Sequence, residues 1–414
     1  MKLLILSNGH GEDQIAIRIV EQLQSITEEL ELAALPIVGE GYAYKKLNIP
    51  IIGRVQQMPS GGFIYMGGNP LWQDVKGGLI QLTIEQIKIV RQWGKNGGLI
   101  LAVGDIVPLL YAWIGGGNYA FVGTAKSEYY LRNEREWLSK TSWLERQLGS
   151  VYLPWERWLM SRDRSLAVFP RDSLTTKMLQ KWSICAYDLG NPMMDGLEVN
   201  ENDFSTPKTA DRLSVLLLPG SRMPEALSNW RQILDAVTEV INTFKEDKSL
   251  EFLGAIAPAL DSELFQQQLI TEGWTISSTA SKSIKAPQAV VFVKDKTTLI
   301  LTQNAYGKCL QRAEVAIAMT GTATEQAVGL GKPVITMPGK GPQFTYAFAE
   351  AQTRLLGYSV ILVDNPQQVS KAIAQLINNP QQLEQIAING KRRMGTSGAA
   401  KRIAMCLKEK LLRL

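Results

Sequence analysis

The sequence predicts an α/β protein built as two Rossmann-like, doubly wound domains that face a central cleft. Three observations carry this expectation. Short apolar runs of β character alternate with amphipathic helical segments along the whole chain, as βαβ units and parallel sheets require. The length of 414 residues exceeds what one hydrophobic core usually serves, so two domains are expected. A polar, acidic stretch from Asp195 to Asp211, with Asn200, Glu201, Asn202, Asp203 and Pro207, separates two fresh starts of the pattern and reads as a linker.

In the first half the strand candidates are Leu3–Ser7, Leu32–Val38, Leu99–Val103, Tyr119–Val122, Leu166–Phe169 and Cys185–Leu189. Ile15, Ile19, Leu23 and Ile26 share one face of a helix over Ile15–Leu30, and a second helix is expected over Gln73–Trp93. The second half restarts at Leu213–Leu218. It continues through strands near Phe252, Val290–Val293, Leu299–Thr302, Val315–Met319, Val334–Met337 and Val360–Val363. Helices are expected over Trp230–Thr243, Ala323–Leu330, Tyr346–Leu356 and Gln367–Ile377. The expected domains are therefore 1–200 and 211–395. Residues 396–414 form a basic amphipathic helix carrying Lys401, Arg402, Lys408, Lys410 and Arg413.

Composition narrows the function. Hydrophobic content of 45% and charged content of 20% describe an ordinary globular chain. No apolar run approaches the roughly 20 residues that span a bilayer, and the start Met1–Leu6 turns polar too early for a signal peptide. Three scattered cysteines give neither a disulfide framework nor metal-ligand spacing, and the single histidine, His10, leaves no multi-histidine metal site. A cytoplasmic setting follows as an expectation. The net charge of +5 is too small to argue for nucleic acid, though it suits weak attraction to anionic lipid or phosphate.

Five segments carry chemistry. Ser7-Asn8-Gly9-His10-Gly11-Glu12-Asp13 follows the first strand, with two glycines that permit a tight turn before a helix start. Its acids would repel a pyrophosphate, so Gly9, Gly11, Glu12 and Asp13 are read as acceptor-side; the plain alternative is that Asp13 caps the helix. Gly104-Asp105 ends a strand before apolar Ile106-Val107-Pro108. Partial desolvation there suits a general base, and a helix cap is the equal alternative. Leu218-Pro219-Gly220-Ser221-Arg222 supplies a turn, a hydroxyl and a permanent charge able to grip a diphosphate, unless Arg222 merely pairs with Glu225. Thr320-Gly321-Thr322-Ala323-Thr324-Glu325 joins a strand to a helix start. It offers an anion nest and a carboxylate placed for ribose hydroxyls; compensation of the helix dipole is Glu325's other role. Pro338-Gly339-Lys340-Gly341-Pro342-Gln343-Phe344 follows the next strand as a loop able to cover a donor sugar.

Together these residues resemble the lipid-A-disaccharide synthase family and, more distantly, the peptidoglycan N-acetylglucosaminyltransferase. Leu217–Arg222 is similar to that family's donor-side signature, and Thr320–Glu325 to its Ser-Gly-Thr-Ala-Thr-Leu-Glu segment, one residue shorter. Gly190-Asn191-Pro192 with Asp195 resembles its Gly-His-Pro-Leu element, with Asn191 in place of histidine. Gly11-Glu12-Asp13 resembles the end of its first loop, and Gly104-Asp105 the strand-end aspartate proposed as its base. Val107-Pro108-Leu109-Leu110 replaces the usual Pro-Asp-Phe-Asn, so the chain reads as a divergent relative. The resemblance implies the GT-B fold, a UDP-linked donor held through Glu325, and Asp105 as catalytic base.

Aromatic and cationic residues interleave between Tyr129 and Arg164, including Trp137, Trp143, Trp155, Trp158, Arg132, Arg157 and Arg162. With the glycine-rich, apolar loop over 59–68, this suits a membrane surface and a lipid-like acceptor; core packing with Glu–Arg pairing is the other reading. The function expected is metal-independent, inverting transfer of a sugar from a nucleoside diphosphate to a lipid acceptor at the inner face of a membrane, with no cofactor. Gly220, Ser221, Arg222, Thr320–Thr324, Glu325 and Gln343 would hold the donor, and Asp105 or His10, with its unperturbed pKa of about 6.5, would remove the acceptor's proton. A sugar-nucleotide epimerase on the same fold and a non-catalytic membrane-associated binder are the alternatives.

Overall fold

The computed structural model describes residues 2–55, 79–206, 209, 211–279 and 282–411. The loop over 59–68 and the first residues of the helix expected from Gln73 lie outside the described residues. The chain divides into two compact units, Met1–Asp195 with Thr396–Leu414, and Gly196–Gly395.

In the first unit, strands β1 (Lys2–Ser7), β2 (Glu31–Pro36), β3 (Leu99–Gly104), β4 (Tyr119–Gly123) and β5 (Ser165–Phe169) form a parallel sheet in the order β2-β1-β3-β4-β5. Helices α1 (His10–Ile26), α2 (Tyr42–Lys46), α3 (Leu79–Lys95), α4 (Ile106–Gly115), α5 (Trp143–Leu148), α6 (Pro154–Met160) and α7 (Ser173–Gln180) intervene. Alternate strand residues serve two cores. Leu3 and Ile5 pack with Ile15, Ile19 and Leu23 of α1, whereas Leu4 and Leu6 pack with Val90, Leu109 and Ala112 of α3 and α4. A sheet covered on both faces needs continuous apolar strands, which is why β3 is buried throughout. The Cys185–Leu189 candidate reduces to one bridge, Ala186 to Val168.

The second unit contains β6 (Arg212–Leu218), α8 (Glu225–Phe244), β7 (Ser249–Ala255), α9 (Ser262–Thr271), β8 (Thr275–Ile276), β9 (Val290–Lys294), β10 (Thr297–Thr302), α10 (Tyr306–Arg312), β11 (Val315–Ala318), α11 (Thr322–Gly329), β12 (Val334–Thr336), α12 (Tyr346–Leu356), β13 (Val360–Leu362), α13 (Val369–Ile377) and α14 (Pro380–Met394). Its sheet runs β13-β12-β11-β6-β7-β10-β9-β8. The first six strands are parallel, while β9 and β8 add an antiparallel edge that the sequence pattern did not separate from the rest. In both sheets the strand order reverses beside the first strand of the unit: between β1 and β3, and between β6 and β11. Ligands of doubly wound sheets collect at such points, beyond the carboxyl ends of the strands.

The last helix, α15 (Ala399–Leu411), packs on the first unit. Ile403, Ala404 and Leu407 enter the α1 core beside Ile15 and Ile19. The carboxylate of Asp195 accepts N–H groups from Gly398 (2.5 Å), Ala399 (3.1 Å) and Ala400 (2.7 Å), capping the helix. Arg402 donates to the Leu189 carbonyl at 2.9 Å, and Arg18 of α1 donates to that of Pro192 at 2.8 Å. The Gly190–Asp195 segment is thus the anchor of the carboxyl-terminal helix. Leu407→Ala should therefore destabilise the first unit by about 2–5 kcal/mol, the usual cost of emptying a buried leucine site. Urea unfolding followed by tryptophan fluorescence reads this; a loss below about 0.5 kcal/mol, the scale of a surface substitution, would contradict the docking of α15.

Candidate functional site

The carboxyl ends of β1 and β3 meet at the switch point of the first unit. Gly9 (φ 142°) and Gly104 (φ 138°) hold backbone conformations that side chains resist. A Cβ on Gly104 would lie 3.4 Å from both Asn8 Cβ and Glu12 Cγ, so the two loops are closely apposed. Asp105 Oδ1 accepts the Val107 N–H at 2.9 Å, capping α4, and also the Asn8 side-chain amide at 3.1 Å. Capping and the link across the switch point are therefore made by one oxygen.

Glu12 lies against Gly104, the residue before Asp105, and accepts the Thr124 hydroxyl at 3.3 Å, Thr124 lying just past β4. Burial pushes the Glu12 carboxyl above its ordinary value, and the neighbouring Asp105 charge adds to this. Burial likewise raises Asp105; the Val107 amide opposes the shift, the Glu156 charge adds to it and Lys126 opposes it. Lys126 and Glu156 are an ion pair at 2.5 Å, with Glu156 almost fully buried.

Asp13 turns away from this group. It is buried and accepts the Ser7 hydroxyl at 2.5 Å, which in turn accepts Tyr44 OH at 2.8 Å. That chain fixes the first turn of α1 to β1. His10 is the first residue of α1, and its side chain lies outside the described residues. Gly11 is exposed, with open space where a Cβ would sit.

In the second unit, Gly220 turns the chain at φ 108°, and its Cβ position lies 3.4 Å from the Met319 carbonyl. Ser221 and Arg222 are exposed. After β11, Gly321 caps α11, Thr322 is exposed, Ala323 is half-buried, and Thr324 and Glu325 are buried. Thr324 donates its hydroxyl to the Thr320 carbonyl at 2.6 Å. The Gln352 amide, from α12, donates to Thr320 O at 3.1 Å and Gly321 O at 3.3 Å. Gln343 is exposed, and its backbone N–H reaches Glu225 Oε1 at 3.2 Å, next to that of Phe344 at 2.7 Å. Glu225 thus serves the β12 loop.

Asn229 was not singled out by sequence reasoning, nor were Asn8, Thr124 and Gln352. Asn229 is buried on α8, and its side-chain amide donates to Pro219 O at 3.0 Å and Met319 O at 3.4 Å. The available signal was a lone amide within the apolar stripe of Ala226, Trp230 and Ile233. Among the described residues no three His, Cys, Asp or Glu side chains group as metal ligands. Chemically, the first unit offers two carboxyls of raised pKa on the loops of its switch point. The second offers an arginine turn and a helix start whose first N–H groups can meet an anion.

No protein-family model matches the sequence, and no curated protein matches it. Solved structures do. An S. aureus MnaA–UDP structure matches with a TM-score of 0.55 at 15% identity, over 100% of this chain and 98% of that one. UDP-GlcNAc 2-epimerase from Neisseria meningitidis, bound to UDP-GlcNAc, matches with 0.54 at 15% identity over 100% of both chains. MurG from Acinetobacter baumannii matches with 0.54 at 13% identity over 99% of both. These likenesses show the fold: two Rossmann-like α/β units of the GT-B type.

Because its carboxyl is raised, Glu12 in the folded chain binds protons that the unfolded chain has already lost just above the ordinary value of 4.5. Its contribution to stability is therefore present at low pH and lost as pH rises through that window. Glu12→Gln should unfold at higher urea than the parent at pH 7, by on the order of 1 kcal/mol, and the gap should close as the pH falls. Parallel stability curves across the pH range would contradict the raised carboxyl.

Proposed function

We propose that the protein is an enzyme acting on a UDP-sugar, and that it inverts a carbon of the sugar as an epimerase. One observation carries the reading: the closely apposed loops of the switch point carry two carboxyls, Glu12 and Asp105, and burial pushes both toward the protonated form. Inverting a carbon requires a base to take a proton and an acid to return one on the opposite face. A lone base, the minimum for inverting transfer, leaves the second raised carboxyl without a task. The similar structures support the same choice, since one is a UDP-GlcNAc 2-epimerase holding UDP-GlcNAc.

The step balances as an elimination and its reversal. Removal of the proton at C2 leaves an electron pair that forms a C1–C2 double bond as the C1–oxygen bond to the diphosphate breaks. Return of a proton to the other face of C2 and of UDP to C1 gives the epimer. Asp105 and Glu12 are the base and acid. Within the second unit, Arg222 and the N–H groups opening α11 suit the charge of a diphosphate, Glu325 suits a ribose and Gln343 a sugar. Such a reaction needs no second substrate.

A second reading, transfer of the sugar to a lipid-like acceptor, is favoured by a different observation. Trp143 (73% exposed), Leu144 (60%), Trp155 (59%) and Trp158 (45%) present large apolar side chains to solvent on α5 and α6 of the first unit, and Arg162 stacks on Trp158 at 4.5 Å. Such residues suit a lipid interface. MurG, a glycosyltransferase, is among the similar structures. Here Asp105, or His10, would deprotonate the acceptor.

Incubation with UDP-GlcNAc in heavy water, with no acceptor present, separates the two. Epimerisation places deuterium on the sugar, read as a mass gain of one and as loss of the C2 proton signal. Asp105→Asn should lower this exchange by at least about a hundredfold, the scale of one acid–base group, while UDP still binds. No exchange, with UDP released only when acceptor lipid is added, would overturn the epimerase reading in favour of transfer. A donor that is bound and never consumed would overturn both.

A further inference from the structure

We infer that Asn229 and Glu225, neighbours on the inner face of α8, are positioning residues that hold three strand-end loops as one diphosphate cradle. This rests on the reading that the second unit takes a nucleoside diphosphate, and it names what shapes that site. The Asn229 amide has two hydrogens, and both point at carbonyls on opposite sides of the switch point: Pro219 O after β6 and Met319 O after β11. From α12, the Gln352 amide takes the next two carbonyls, Thr320 O and Gly321 O. Four carbonyls of the two loops are thereby turned toward side-chain amides.

A trans peptide points its N–H opposite to its C=O. Fixing these four carbonyls therefore directs the N–H groups of Gly220, Thr320, Gly321 and Thr322 the other way. Successive N–H groups so aligned form a concavity for an anion. The third loop is tied to the same helix turn. Glu225 Oε1 accepts the N–H groups of Gln343 and Phe344, and a Cβ on Gly341 would come within 2.5 Å of that carboxylate. Gly339 sits against Asn229, its Cβ position 3.0 Å from Oδ1.

That Oδ1 is buried and has no hydrogen-bond partner among the described residues. A buried acceptor without a partner is unfavourable, because its bonds to water are given up and not replaced. An asparagine kept there at such a cost points to the task of its amide. Asn229 sets the diphosphate cradle, and Glu225 sets the loop that covers the sugar.

Titration calorimetry with uridine, UDP and UDP-GlcNAc on the full chain tests this, with thermal unfolding to establish that each variant folds. Asn229→Ala, and Asn229→Asp, which sets an oxygen against the carbonyls, should weaken UDP by at least about tenfold, the factor one such bond carries, and leave uridine unchanged. Glu225→Ala should weaken UDP-GlcNAc more than UDP, and Glu225→Gln, which keeps an accepting oxygen, should restore it. Folded Asn229 variants that bind UDP as the parent does, or lose uridine equally, would overturn the inference alone. A parent chain that binds no UDP would overturn the functional reading and this one with it.

Discussion

A parallel strand buried on both faces can put polar chemistry to use only beyond its last residue. That constraint organises both units. Interior positions of β1, β3 and β11 are apolar because helices cover both sides of the sheet, and β6 departs from this only at Ser214, whose hydroxyl donates to Glu251 at 3.0 Å. Polar groups collect past Ser7, Gly104, Leu218 and Ala318, where the strand order also reverses. Each unit then solves one problem in one way: two loops from neighbouring strands must be held at a fixed separation, and a side-chain amide spans the gap. Asn8 does so in the first unit by reaching Asp105, and Asn229 does so in the second by reaching two carbonyls.

The two amides differ in what they leave behind. Asn8 engages a carboxylate that already caps a helix, so its partner is a titrating group whose proton affinity the surroundings can set. Asn229 engages only backbone, so it fixes the orientation of peptide groups and contributes no charge. The first arrangement suits proton transfer and the second suits holding an anion. This division follows from local hydrogen bonding within each unit.

Much of this was legible in the sequence. Strands covered on both faces must read as apolar runs, so β1, β3, β6 and β11 stood out, and their strand-end loops with them. Helix α4 did not, because Ile106–Gly115 is apolar nearly all round and shows no 3.6-residue period. The sequence around Asp105 suits a base and a cap alike, and one oxygen makes the cap while burial still raises the carboxyl. The inward turn of Asp13 depends on Ser7 and on Tyr44 from a separate helix, a contact that local pattern cannot reveal. The aromatic segment was mixed for a physical reason: Tyr129 and Tyr152 are core residues, whereas Trp143, Trp155 and Trp158 face solvent. Asn229 escaped notice because one amide on an apolar helix face has no period to break.

Every role assigned in the second unit depends on its binding a nucleoside diphosphate at its strand-end loops. Amide hydrogen exchange with and without UDP, resolved to peptides by mass spectrometry, tests that placement most directly. Slowed exchange confined in this unit to residues 219–226, 319–326 and 339–345 is the predicted result. Protection at the opposite, amino-terminal ends of these strands, or none at all at saturating UDP, would contradict it.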